Sequence, residues 1–368
     1  MDLQYQNLNH PNVHRGFSPW SEEQTLHVAV AYSNPFRWRT RRELLNDFRK
    51  HMSIASNAIV HVGELAYGDR PFEVTSEDNP LDIQLRTSHE LFHKENILNV
   101  IIQRGFPPDW RYGAWIDGDF HMTRHDWALE TIHQLQHYDF VQPFSSYMDL
   151  SGPTLGNGMR PLRVNNSFAY NYVQSGFKLP SGYSDGGWKK LKPEQIPYHG
   201  GEGKAVKGAL LPVGATGGAW AFRRSALETV GGLLDVCILG HGDWFMAFGL
   251  VAEEAPDVGM ARYTDGYRRL ITEWQRNAIR LKKNIGYTDN FAVHHFHGSK
   301  QRRLYSQRYQ ILIENGFDPL SDLRKDWQGI YQLSGDKPAL RDAIRNYFIT
   351  RSEDDPTLSG LSYEKPIV

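Results

Sequence analysis

Hydrophobic and polar positions along the chain alternate between two periods. Leu26 to Tyr32 (LHVAVAY) is a short, β-branched apolar run that predicts a buried strand. From Arg41, RRELLNDFRKHM sets Leu44, Leu45, Phe48 and Met52 on one stripe and predicts a helix. Ala58 to Leu65 and Leu81 to Thr87 read as further strands, joined by the turn-rich GDRPFEVTSEDNP. SHELFHKENILNVIIQRG then predicts a helix with Ser88 as N-cap, Glu90 in its first turn and Gly105 at its end. Leu91, Ile97, Leu98, Ile101 and Ile102 supply its apolar face. YGAWIDGDF predicts a strand with an acidic triplet at its C-terminal end. A helix from His125 to His137 and a strand from Tyr138 to Phe144 follow.

Strands alternating with helices imply an α/β fold with a mostly parallel central sheet and helices on both faces. Ligands in such sheets bind beyond the carboxyl ends of the strands, which is where the acidic triplet falls. Residues 148–210 are rich in Gly, Pro, Ser and Asn and predict a long surface excursion of the kind that often forms a lid. Structure resumes in ATGGAWAFRRSALETVGG as a glycine turn, a strand and a helix. ILGHGDWFMAFGLV reads as a buried helix, DGYRRLITEWQRNAIRLKK as a long amphipathic one, and FAVHHFHG as a strand ending in histidines. The expected organisation is an arm over 1–25, a main domain over 26–300 and a helical C-terminal extension over 301–368.

Composition narrows the function classes. With 41 basic and 42 acidic residues, the net charge of −1 gives no global attraction to nucleic acid or anionic membrane. Basic clusters do occur at Arg37, Arg39, Arg41 and Arg42, at Lys189, Lys190 and Lys192, and at Lys300, Arg302 and Arg303. No run of apolar residues is long enough for a membrane span, and the first residues lack a signal-like apolar stretch. The single cysteine, Cys237, has no internal partner, so the expectation is a cytoplasmic protein without membrane insertion.

Asp117-Gly118-Asp119 is the strongest candidate for chemistry. Two carboxylates flanking a glycine can both face a hard cation, and the glycine lets a diphosphate approach the backbone. An EF-hand calcium loop is excluded, because its required glycine and glutamate positions hold Met122 and Ala128. A two-metal nuclease is not excluded by the triplet alone.

HKENILNVIIQRGFPPDWRYGAWIDGDF resembles the segment of GT-A glycosyltransferases, family 2-like, in which a helix leads into the strand bearing a D-x-D motif. TGGAWAFRRSALETVGGLLD is similar to their acceptor-side loop and short helix. GHGDWFMAFGL stands where they carry an acidic pair, and HHFHG where many carry a metal-binding histidine. The order and spacing match over about residues 26–300.

The resemblance implies a Rossmann-like GT-A fold and a manganese- or magnesium-dependent transfer of sugar from a nucleotide donor, a UDP-sugar being the commonest. Asp117 and Asp119 would address the metal and the donor, and a histidine would complete the metal site. On a strand His295 and His297 share a face and His294 points opposite, so His295 or His297 is expected. Asp243 would be the general base of an inverting reaction, with His241 as second candidate; Gly242 replaces the first acid of the usual pair. Tyr32, Asn34, Arg37, Arg39, Arg86 and Lys94 are expected around the nucleotide base and phosphates. Gly217, Gly218 and Trp220 would line the donor sugar and acceptor, with Trp220 and Trp244 as stacking platforms.

The competing readings are a nucleotidyltransferase of the same architecture and a non-catalytic binding module for nucleotide sugars or nucleic acid. The first is disfavoured because AYSNPFRWRT, after the first strand, lacks the glycine-rich loop such enzymes need. Acceptor classes left open are a glycan, a small molecule, a protein and a hydroxylated base of viral DNA. The basic, aromatic stretch SKQRRLYSQRYQ is the feature that favours DNA.

Overall fold

A computed structural model describes residues 24–55, 57–152, 159–179, 213–251, 262–299, 302–304 and 308–355. Nearly all of the expected arm, the lysine cluster at 189–192, Lys300 and parts of the excursion and C-terminal extension lie outside these residues. The first half of the chain runs β1 (Leu26–Ser33), α1 (Arg39–Met52), β2 (Ala58–Tyr67), β3 (Asp82–Thr87), α2 (Lys94–Arg104), β4 (Tyr112–Ile116), β5 (Phe120–Met122), α3 (Trp127–Leu135) and β6 (Phe140–Gln142). Then come β7 (Ser146–Leu150), β8 (Pro161–Asn166), α4 (Phe168–Gln174), β9 (Ala219–Arg223), α5 (Arg224–Val230), α6 (Gly242–Val251), α7 (Asp265–Ile279), β10 (Ile285–Tyr287) and β11 (Phe291–His294). The C-terminal part holds α8 (Gln310–Glu314), α9 (Pro319–Asp322), a hairpin of β12 (Leu323–Lys325) and β13 (Tyr331–Leu333), and α10 (Pro338–Thr350).

Seven strands form the central sheet in the order β10-β6-β9-β4-β1-β2-β3, all parallel to their neighbours except β9. The two-residue alternation of the strands feeds two cores. Val28 and Val30 of β1, Ala114 and Ile116 of β4, and Ala219 and Ala221 of β9 face Leu45, Phe48 and Met52 of α1 and Trp127 and Ile132 of α3. Ala29, Trp115, Trp220 and Phe222 face the opposite way, toward Ile97, Leu98 and Ile101 of α2 and the helices after it. The fold class is therefore the expected one: mixed α/β, with a mostly parallel sheet covered on both faces.

Two local expectations are corrected. The helix expected from Ser88 starts at Lys94, because Phe92 N donates to Ile238 O (2.9 Å) and holds the preceding residues outside the helix. The excursion contains regular structure where periodicity predicted none: β7 and β8 join β5 and β11 in a second sheet, ordered β5-β11-β7-β8. β8 is an edge strand, paired on one side only, and its short alternation of Leu162 and Val164 with polar residues leaves the apolar side chains exposed.

Candidate active site

A cavity of about 300 Å³ lies over the carboxyl ends of β1 and β4. Its floor is the turn after β4, where Asp117 N donates to Gly218 O (2.8 Å) and Phe120 N donates to Asp117 O (2.9 Å). Asp117, Gly118 and Asp119 all line the cavity. A Cβ at Gly118 would stand 3.2 Å from Leu45 Cδ1, so the glycine also lets α1 pack onto the turn.

The two carboxylates take different partners. Asp117 Oδ1 meets Lys94 Nζ at 2.5 Å. Burial disfavours the lysine's charge, but Asp117, Glu95 and Asp243 outweigh it and hold the ammonium protonated. Asp119 instead meets His297 Nε2 at 2.8 Å and His294 Nε2 at 3.8 Å. One ligand atom from each of Asp119, His294 and His297 lies within 4.8 Å of the others. Burial would raise the Asp119 carboxyl, yet His297, His294 and Arg303 keep it well below the carboxylate range. Burial, with Arg303 adding to it, lowers the His297 imidazole to about 4 against the pull of Asp119. One carboxylate with two imidazoles is a donor set that suits a divalent transition metal.

The structure places the histidines differently from strand alternation. β11 ends at His294, so the following residues leave strand geometry, and His297 lies beside His294 with ring centroids 5.4 Å apart. His295 turns away: its backbone N–H donates to Asp119 O, while its ring nitrogen lies 3.1 Å from His121 Nδ1. His294, expected on the wrong face, is the one at the cluster. The two-residue period fails because the strand stops one residue before His295.

Across the cavity, Asp243 sits in the first turn of α6, and Thr216 Oγ1 donates to its Oδ2 at 3.3 Å. A Cβ on Gly217 would lie 2.7 Å from that same oxygen and would push the Asp243 carboxylate aside. Gly218 (φ +88°) carries the turn against the Phe120 ring. His241 lines the cavity with φ +74° and packs edge-on against Tyr309. The position of the missing acid is filled from elsewhere. A Cβ at Gly242 would stand 3.0 Å from Glu95 Cδ, so the Glu95 carboxyl occupies that space from α2. Burial pushes Glu95 up to about 7, with Lys94 opposing and Asp243 reinforcing. Sequence reasoning passed over Glu95, because an acid beside Lys94 in a first helical turn reads as a solvated charge, whereas the structure buries it.

Of the residues expected around the nucleotide, Tyr32 and Lys94 line the cavity and the others do not. Asn34 is spent on the β1–α1 turn, with Nδ2 donating to Trp38 O and Oδ1 accepting from Trp38 N, both at 2.9 Å. Arg37 pairs with Glu73 and Arg39 with Glu43 at the surface. Arg86 belongs to edge strand β3, with β2 between it and β1, and donates to Gly68 O and Arg70 O. Trp220 faces the core, where its Nε1 donates to Thr216 O (2.8 Å); Trp244 is also buried, against Phe248. Alternation along β9 points Trp220 away from the cavity, which removes it as a stacking platform.

The cationic wall comes from Arg41, one helical step past the expected arginines, and from Arg303, Arg308 and Arg351 of the C-terminal part. Glu353 ties two of them: its carboxylate accepts from Arg41 Nε (2.6 Å) and pairs with Arg351 (2.5 Å). Burial opposes this charge, but Arg351 and Arg41 draw the Glu353 carboxyl down to about 2. Residues so far along the chain could not be assigned to the site from periodicity.

No known protein family matches the chain, and no curated protein matches it. Among solved structures, one similar chain is described as a "putative nucleotide-diphospho-sugar transferase" from Desulfovibrio desulfuricans G20. The likeness covers 88% of this chain and 98% of that one at 10% identity, with a TM-score of 0.29. At that level it carries no weight for fold or activity, and the reading below stands on the site itself.

Proposed function

We propose that the chain is a metal-dependent transferase that moves a sugar from a nucleoside diphosphate donor, a UDP-sugar above all, to an acceptor hydroxyl with inversion. The observation that supports it is one cavity holding a carboxylate–imidazole cluster (Asp119, His294, His297), a wall of arginines and a separate carboxylate, Asp243. Asp119, His294 and His297 would hold manganese or magnesium, which supplies charge neutralisation on a diphosphate. Arg41, Arg303 and Arg351 would add charge-assisted hydrogen bonds to the same phosphates.

In this reading Asp243 takes the proton of the acceptor hydroxyl as that oxygen bonds to the anomeric carbon. The bond from the carbon to the diphosphate oxygen breaks, and its electron pair leaves with the nucleoside diphosphate. Lys94 neutralises Asp117 and keeps the cavity floor from repelling the donor. The acceptor classes are a glycan, a small molecule or a hydroxylated base in DNA.

The test is a panel of nucleotide sugars with manganese, scored for slow donor hydrolysis in the absence of acceptor. Hydrolysis by the wild type and its loss in Asp119→Asn are expected. If no sugar nucleotide binds or is hydrolysed, the proposal fails.

A further inference from the structure

Asp149 lies on β7, is 2% exposed, and is absent from every motif the sequence singled out. Its carboxylate is bonded from two sides. His294 Nδ1 lies 2.6 Å from Oδ1, while Arg163 Nε (2.9 Å) and Asn165 Nδ2 (3.2 Å) donate to Oδ2. One rung of the second sheet runs through this arrangement: Phe120 pairs with His294, His294 with Asp149, and Asp149 with Arg163.

The chemistry of the rung decides which nitrogen of His294 bears the proton. Arg163 Nε pairs with Asp149 Oδ2 at 2.9 Å, and a carboxylate paired with a guanidinium accepts hydrogen bonds. His294 Nδ1 must therefore donate, which turns Nε2 toward Asp119 Oδ1 at 3.8 Å. A ring fixed in orientation by a carboxylate on Nδ1 presents Nε2 as the nitrogen through which histidine ligates a metal. His297, by contrast, meets Asp119 directly through Nε2 at 2.8 Å.

We propose that Asp149 is the positioning residue of the metal centre: it sets the tautomer and aim of His294, and Arg163 of β8 holds it in place. The inference rests on the reading that Asp119, His294 and His297 hold a divalent cation. It makes the β7–β8 pair, and so the start of the excursion, part of the metal site.

The experiment is a Mn²⁺ titration of the full chain without nucleotide, following free Mn²⁺ by electron paramagnetic resonance. Wild type is expected to bind, Asp119→Asn and His294→Gln to lose binding, and Asp149→Asn to bind about 10–100-fold more weakly. A second readout needs no variant. In long-range ¹H–¹⁵N spectra of the histidine-labelled, metal-free wild type, His294 should carry its proton on Nδ1, and Asp149→Asn should move the ring toward the other tautomer.

Wild-type affinity in Asp149→Asn, with Asp119→Asn inactive for binding, would overturn the role of Asp149 while leaving the metal reading intact. A proton on Nε2 of His294 in the wild type would do the same, even if the Asp149 variant failed to fold. No Mn²⁺ binding by the wild type at millimolar metal would remove the metal reading and this inference with it.

Discussion

At the residue scale, the acidic triplet divides its contacts between a lysine and a pair of imidazoles. Asp117 is neutralised by Lys94, whereas Asp119 faces two imidazoles, so the residues are not interchangeable. Asp243, the base in the proposed reaction, lines the cavity and accepts from Thr216. Replacing it with Asn should lower turnover by about 10²–10⁴-fold, measured as nucleoside diphosphate release, with donor affinity retained. Gly217→Ala tests the same point from the other side. Its Cβ would press to 2.7 Å on Asp243 Oδ2, and turnover should fall while thermal stability stays near wild type. Unchanged turnover in both variants would exclude Asp243 from the reaction.

At the element scale, α1 shows how a distant segment completes a local structure. Trp38, its N-cap residue, offers no side-chain cap. Asp354 takes that place, accepting from Arg39 N (2.6 Å), Thr40 N (2.9 Å) and Thr40 Oγ1 (2.6 Å). A carboxylate at a helix N-terminus also meets the positive end of the dipole. Asp354→Ala should cost about 1 kcal/mol and raise hydrogen exchange in the first turn of α1, which carries Arg41 into the cavity. Exchange unchanged at those amides would show that α1 needs no such cap.

At the scale of the whole molecule, two buried charge arrangements set how stability responds to change. Glu353 joins Arg41 of α1 to Arg351 beyond α10, and its side chain is fully buried. Glu353→Gln leaves two guanidiniums without their anion and should lower unfolding free energy by about 3–5 kcal/mol, read from urea denaturation. The carboxyl is depressed to about 2, so its contribution is present above its ordinary 4.5 and is lost as pH falls toward 2. At the amino end of the sheet, His27 Nδ1 and His61 Nε2 lie 3.1 Å apart beside Phe106. Burial lowers both rings, His61 to about 4 from 6.5. The unfolded chain binds more protons between those values, so stability is full above pH 6.5 and declines as pH falls toward 4. Melting temperatures across that window should drop more steeply in wild type than in His61→Gln. Equal slopes would discount the pair.

What the sequence determined by itself was local and periodic. The buried strands, the amphipathic helices and the position of the acidic triplet after an apolar strand follow from spacings of two and of three to four residues, because those spacings decide which face is apolar. Asp119 could be named on that basis, whereas Asp243, Lys94 and the histidine segment were named through the resemblance of their motifs. Tertiary structure decided the rest, where the cause lay far along the chain. It chose His294 over His295 because β11 ends at that point. It turned Trp220 into the core through the alternation of β9, and left Arg37, Arg39 and Arg86 on surface partners. It brought Glu95 into the space beside Gly242, and Arg303, Arg308 and Arg351 onto the cavity wall. Long-range pairing also set Asp149 behind His294, through the register of β7 against β11.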